Sequence, residues 1–228
     1  MLAELIERLV LYPTNLESFS EDQARGIITD IGELFRVHLI QRGIDERTIR
    51  RMTTKFRDAG RRSPPWMEGS ERGARRPQDG ADGNRRNRWL FDPSHPFYAD
   101  EITATLVEVK FYLQTLSMEG APALPNDKLR TRFRWLLGHE LEPGAFLDPV
   151  QKAPVLFREF CRDARYVEAG HVIPHSRGGR HEPSNSTLML KSSNRLQGDR
   201  TIPELISMMK EILERNGFSV TKMTEESK

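Results

Sequence analysis

The stretch from Glu168 to Arg200, EAGHVIPHSRGGRHEPSNSTLMLKSSNRLQGDR, constrains the fold more than any other part of the chain. Val172-Ile173-Pro174 reads as the end of a strand. Ser176-Arg177-Gly178-Gly179-Arg180 is polar with two adjacent glycines, which is the composition of a loop. Thr187-Leu188-Met189-Leu190 is a second short apolar run, and from Lys191 the chain is polar enough to open a helix. The local form is strand, long loop, strand, helix. Within it, thirteen residues separate His171 from Asn185 and eight separate Asn185 from Asn194.

The rest of the chain must supply the core on which so small an element rests. At 228 residues, one large or two small domains are possible. Hydrophobic residues make up 37% and charged residues 30%, which suits a soluble, cytoplasmic globular chain. No apolar run is long enough to span a bilayer, and Met1-Leu2-Ala3-Glu4-Leu5 lacks the basic region and apolar core of a secretory signal. A single cysteine, Cys161, excludes an internal disulfide and reads as a small buried hydrophobe. The net charge is only +2, so the local arrangement of arginines has to make any case for nucleic acid.

Residues 1–59 read as a helical region. Leu2, Leu5, Ile6, Leu9 and Val10 recur at helical spacing, and Tyr12-Pro13-Thr14-Asn15 ends that helix. Ser20 stands three residues before Gln23, a capping-box pattern. The apolar stripe from Ala24 to Leu39 then predicts a helix from Glu21 to Gln41, stopped by Gly43. Asp45 can cap a third helix, with Ile49, Met52 and Phe56 inward and Gly60 at its end. His38 beside the apolar stripe reads as a packed, hydrogen-bonded histidine rather than a ligand, because no partner stands at metal-ligand spacing.

From Gly60 to Arg88 the character changes. Eight arginines stand against four acids, glycine and proline are frequent, and apolar residues are few. Such a segment buries too little to offset its ordering entropy and reads as a flexible linker. It is either a solvated spacer or an arm that contacts phosphates. Residues 89–140 return to helical patterning. Trp89-Leu90-Phe91 and Pro96-Phe97-Tyr98 re-anchor the chain, and Ile102, Leu106, Val109, Leu113 and Leu116 define a helix ended by Gly120. Asn126 can cap another, with Leu129, Phe133 and Leu136 inward. After Thr201, Leu205, Ile206, Met209, Ile212 and Leu213 form an amphipathic face expected to pack under the hairpin; residues 218–228 are a polar tail.

Gly170-His171-Val172-Ile173-Pro174, Ser176 with Gly178-Gly179, Asn185, and Asn194-Arg195 with Gly198-Asp199 together resemble the HNH nuclease motif, the ββα-metal fold. The resemblance covers about a third of the chain, within a module of residues 141–217. It implies metal-dependent cleavage of a nucleic-acid phosphodiester, with DNA the expected substrate and bacterial restriction or anti-phage defence the expected setting. With the helical patterning of the rest of the chain, it makes the expected fold α+β: a mostly helical N-terminal region and a C-terminal ββα-metal module. By the same resemblance His171 is the general base, Asn194 a metal ligand, and Asn185 the residue that orders loop and site. Histidine suits the first task because its ordinary pKa is about 6.5. The implied cofactor is a hard divalent cation, Mg2+ or else Mn2+. With only Cys161 present, a cysteine-built structural zinc is excluded, so packing must hold the module together.

One position departs from the family. Where an acidic residue or a histidine commonly precedes the base and binds the metal, this chain has Gly170. Glu168 lies on the same side of an extended strand and can fill the gap directly or through water, or it is merely exposed. Gly170 itself either leaves the metal short of a ligand or holds a positive φ. His175 and His181 lie in the loop, where a solvent-facing histidine is the common arrangement. Arg177, Lys191, Arg195 and Arg200 surround the motif and are the expected phosphate contacts, Arg195 first among them. Two other readings remain open. A catalytically weak module can act as a nucleic-acid-binding adaptor, and the N-terminal helices can dock partner proteins.

Overall fold

A computed structural model describes residues 1–65 and 85–221 of the chain. Four helices build most of its core: α1 (Leu2–Leu11), α2 (Glu21–Gln41), α3 (Glu46–Ala59) and α4 (Glu101–Leu116). Their ends follow local chemistry. The Ser20 hydroxyl accepts from Gln23 N–H while the Gln23 side chain accepts from Ser20 N–H, closing both halves of a capping box. The Asp45 carboxylate caps α3 by accepting from Thr48 N–H. Caps of this kind stabilise a helix by about 1 kcal/mol.

Helix α4 is the centre of the molecule. It packs against α2 and α3, and every residue from Ala104 to Leu116 is buried. The aromatic rings of Phe35, Phe56 and Tyr112 meet edge to face at 4.9 to 5.9 Å where α2, α3 and α4 converge. One continuous apolar core runs from Leu5 in α1 to Leu190 near the C-terminus. His38 is buried there, with Nε2 3.0 Å from the Pro122 carbonyl.

The fold is mixed α+β, with a small antiparallel sheet. Strands β1 (Val167–His171) and β2 (Ser186–Leu190) pair from Val167↔Leu190 to His171↔Ser186. Between α4 and β1 lie two short helices, α5 (Arg134–Leu137) and α6 (Phe157–Arg162). Helix α7 (Lys191–Gln197) follows β2 directly, and α8 (Ile202–Arg215) follows with its own capping box between Thr201 and Glu204.

Buried polar side chains lock this hairpin to the helices. Gln114 of α4 donates to Thr187 Oγ1 at 2.8 Å and accepts from Leu188 N–H at 2.9 Å. Lys110, also on α4, donates to the Pro183 carbonyl at 2.5 Å. On the other side, the fully buried Asp148 carboxylate accepts from Leu190 N–H at 2.8 Å and from Ser193 Oγ at 2.7 Å. It therefore ties β2 to α7. Unmet strand donors are costly when buried, so these side chains do the work of a missing neighbouring strand.

Several sequence expectations are corrected. The first strand ends at His171, not Pro174, because the chain turns into a short 3-10 helix at His175–Arg177. The helix expected after Asn126 is only a 3-10 turn, Asp127–Leu129, followed by the four-residue α5. The Arg130 carbonyl is taken by Leu141 N–H, which draws the chain out of helical register. The apolar face of α8 does not pack under the hairpin: Leu205 alone on that face is buried, and Ile206 and Ile212 are 58% and 49% exposed. Cys161 is only half-buried.

The ends of the arginine-rich segment are packed against the fold. Ser63 N–H donates to the Arg86 carbonyl and Arg88 N–H to the Arg61 carbonyl, so two short stems run antiparallel at Arg62 and Asn87. Residues 66–84, which hold the rest of the expected linker, lie outside the described residues, as do residues 222–228 of the tail. No helix among the described residues is long and apolar enough to cross a membrane.

Candidate active site

His171 closes β1 and lines a cleft of about 590 Å³ between the hairpin, the end of α3 and the start of the Arg88 turn. The strand brings Glu168 to the same cleft, and α7 brings Asn194. Asn194 Nδ2 donates to Glu168 Oε2 at 2.7 Å. Its amide oxygen lies over Gly170, only 2.8 Å from where a Cβ would stand there. The Met189 sulfur crowds the same point at 2.9 Å. Gly170 has no positive φ, so space, not backbone conformation, explains the glycine.

Asn185 is buried and fully engaged. Its Oδ1 accepts from Ile173 N–H at 2.7 Å, and its Nδ2 donates to the carbonyls of Ile173 and Arg180 at 3.0 and 2.8 Å. These bonds hold the loop behind His171. Gly179 passes so close that a Cβ would lie 1.8 Å from the Ile173 carbonyl oxygen, so only glycine fits.

Of the two loop histidines, His175 is exposed as expected, whereas His181 turns inward. His181 is 4% exposed, against the expectation of a solvent-facing residue. Its Nδ1 lies 3.2 Å from His171 Nε2, and its Nε2 lies 2.7 Å from the carbonyl oxygen of Gly60 at the end of α3. The His175 ring stands 4.2 Å from the His171 ring, centroid to centroid. Burial pushes His171 down to about 3, helped by His175 and Arg88, and burial also lowers His175 and His181. All three rings are neutral at physiological pH.

Arg88 is the residue that sequence reasoning missed. It is 4% exposed and makes no ion pair with a carboxylate among the described residues. Its Nε donates to the Gly60 carbonyl at 3.1 Å and its Nη1 to the Phe97 carbonyl at 3.3 Å. Burial and then Arg85 push it down to about 9, so it remains a cation at neutral pH. Arg85 and Lys55 line the same cleft. Of the two acids there, Asp58 pairs with Arg62 and Arg57, and Glu168 bonds Asn194. The one hint in the sequence is that Arg88 directly precedes the aromatic anchor Trp89-Leu90-Phe91.

The four basic residues expected at the phosphate do not line this cleft. Arg177 donates to the Asp199 carbonyl and pairs with Glu204 on α8. Lys191 lines a separate depression with Asp163 and Tyr166. Arg195 is exposed and Arg200 half-buried beyond the end of α7.

Among the described residues no three His, Cys, Asp or Glu side chains converge as a metal-holding group. The donors available near His171 are instead the Glu168 carboxylate and the Asn194 amide oxygen. Two hard oxygen donors suit magnesium, which keeps several of its waters, and do not suit a structural zinc.

No protein-family model matches the chain, and no curated protein matches it. Its fold is similar to that in a crystal structure of a type II restriction endonuclease. The two are 19% identical, with a TM-score of 0.50 over 80% of this chain and 81% of that one.

Proposed function

We propose that the protein is a divalent-metal-dependent HNH endonuclease that hydrolyses phosphodiester bonds in DNA, acting in bacterial restriction or anti-phage defence. One observation carries the reading: a neutral His171 opens into a cation-lined cleft beside the hydrogen-bonded Glu168 carboxylate and Asn194 amide. The similarity in fold to a restriction endonuclease supports the setting.

In this reading His171 takes a proton from a water molecule at its cleft-facing nitrogen. The water oxygen bonds to phosphorus as the bond to the ester oxygen breaks, and the departing oxygen takes a proton from solvent. Burial keeps His171 neutral and able to accept that proton. The anionic phosphodiester then favours the imidazolium that forms. Arg88, Arg85 and Lys55 neutralise the phosphate. Glu168 and Asn194 would hold the metal, which when bound supplies charge neutralisation on the phosphate and help to the leaving oxygen. Asn185 positions His171 through the loop. Arg177, Lys191, Arg195 and Arg200 are left to contact the DNA backbone away from the cleft.

A second reading, DNA binding without cleavage, is favoured by the thin donor set of one carboxylate and one amide. Incubation of supercoiled plasmid with the purified protein, with magnesium or with a chelator, separates the two. Nicked or linear product in magnesium alone supports the enzyme. Binding without product at any magnesium concentration supports the adaptor and refutes the nuclease.

A further inference from the structure

The loop that carries His181 is 121 residues from Gly60, yet the two meet at 2.7 Å. The direction of that bond follows from chemistry alone. A carbonyl oxygen can only accept, so His181 Nε2 must carry its proton and donate. A neutral imidazole has one N–H, so His181 Nδ1 is then a bare acceptor. Burial holds His181 neutral, which removes the alternative of a doubly protonated ring. His171 Nε2 lies 3.2 Å from that bare Nδ1, and Ser186 Oγ lies 3.4 Å from it. Two bare nitrogens facing each other would repel, so His171 Nε2 must carry the proton and donate. The remaining nitrogen, His171 Nδ1, is therefore unprotonated. It has no hydrogen-bond partner among the described residues, and the ring lines the cleft.

We infer that His181, anchored on the Gly60 carbonyl, is a positioning residue that holds His171 in the Nε2–H tautomer and turns a bare Nδ1 toward the cleft. The neutral imidazole has two tautomers of similar energy in water, and only one is competent to accept a proton from the cleft side. The chain Gly60 carbonyl, His181, His171 selects it without using any charge. It also explains why the end of α3 must sit where it does. The Gly60 carbonyl receives His181 and Arg88 together, so one backbone atom sets the direction of the base and of the buried guanidinium. When His171 accepts a proton at Nδ1, its Nε2–H bond to His181 is unchanged and no second proton has to move.

The catalytic consequence rests on His171 being the base, but the tautomer does not, so the two are tested apart. The chain has six histidines, few enough to resolve the ring nitrogens by long-range proton–nitrogen correlation, with His171→Gln and His181→Gln identifying the two sets of signals. In the wild-type protein at neutral pH, both rings are expected to carry the proton on Nε2. His181→Phe keeps the ring shape and removes both bonds. It is expected to leave His171 as a mixture of tautomers and to lower plasmid cleavage by roughly 10- to 100-fold, the scale of loss when the partner that orients a metal-bound histidine is removed. His181→Gln supplies an acceptor and a donor again and is expected to restore most of both. A wild-type His171 protonated on Nδ1 would overturn the inference whatever the variants do. So would a His181→Phe protein with an unchanged tautomer and rate. If the wild-type tautomer is as described but no plasmid is cleaved, the tautomer assignment stands and the nuclease reading fails.

Discussion

Gly60→Ala is the sharpest test of how the two halves meet. Gly60 has a φ of −82°, so alanine is not opposed by its backbone conformation. Space opposes it. A Cβ at residue 60 would lie 2.6, 2.8 and 2.9 Å from Glu108 Cβ, Cα and N. These are atoms of buried α4 and cannot swing aside. Ordinary carbon contacts begin near 3.5 Å, so the end of α3 must retreat by roughly 0.9 Å. Overpacking of this kind costs about 1–3 kcal/mol, or roughly 2–12 °C in Tm for a chain of this size. The same retreat carries the Gly60 carbonyl away from His181 and Arg88, whose bonds are 2.7 and 3.1 Å long. Misplacement on this scale lowers turnover by as much as roughly 100-fold. Thermal melting by circular dichroism gives the first quantity. Single-turnover cleavage well below the melting temperature gives the second. A variant that melts and cleaves like the wild type would refute the close approach of α3 and α4 and the role given to the Gly60 carbonyl.

Three further outcomes follow from the site. Because burial lowers His171, His175 and His181, the unfolded chain binds protons that the folded chain refuses below about pH 6.5, so stability must fall with acidification. For His171 alone, taken at about 3, the loss between pH 7 and pH 5 is about 2 kcal/mol, and urea titrations at the two values would measure it; equal stability at both would contradict the buried neutral cluster. Arg88→Gln should weaken DNA binding and reduce the slope of log affinity against log salt by about one, whereas an unchanged slope would make Arg88 a structural residue only. Gly170→Asp should fold, because the atoms its Cβ meets belong to the side chains of Asn194 and Met189, but it should push Asn194 off Glu168 and raise the magnesium needed for cleavage. A lower magnesium requirement would instead mean that a ligand had been missing.

What the sequence discloses is local. The Ser20–Gln23 box, the Asp45 cap and the Thr201–Glu204 box are each complete within four residues, and so the helix starts are legible. The hairpin and α7 are legible for the same reason. The polar residues of α4 are not. Periodicity marks its apolar stripe, but Lys110 and Gln114 are explained only by Pro183, Thr187 and Leu188 more than seventy residues away. The same divide runs through the site. Glu168, His171 and Asn194 share one short stretch and can be picked out together. His181, Arg88 and Gly60 meet only when α3 closes on the loop, so no spacing in the sequence connects them. Helix α8 shows the converse: its apolar pattern is plain, yet pattern alone does not determine what, if anything, covers it.

The most direct test is the His171→Ala protein measured beside the wild type for plasmid cleavage in magnesium and for binding to the same DNA in chelator, with circular dichroism to establish that both are folded. The expected result is loss of cleavage with binding retained, because the phosphate contacts are assigned to Arg88, Arg85 and Lys55 and not to the histidine. Cleavage near the wild-type rate by a folded His171→Ala protein would contradict the central claim that His171 activates the attacking water.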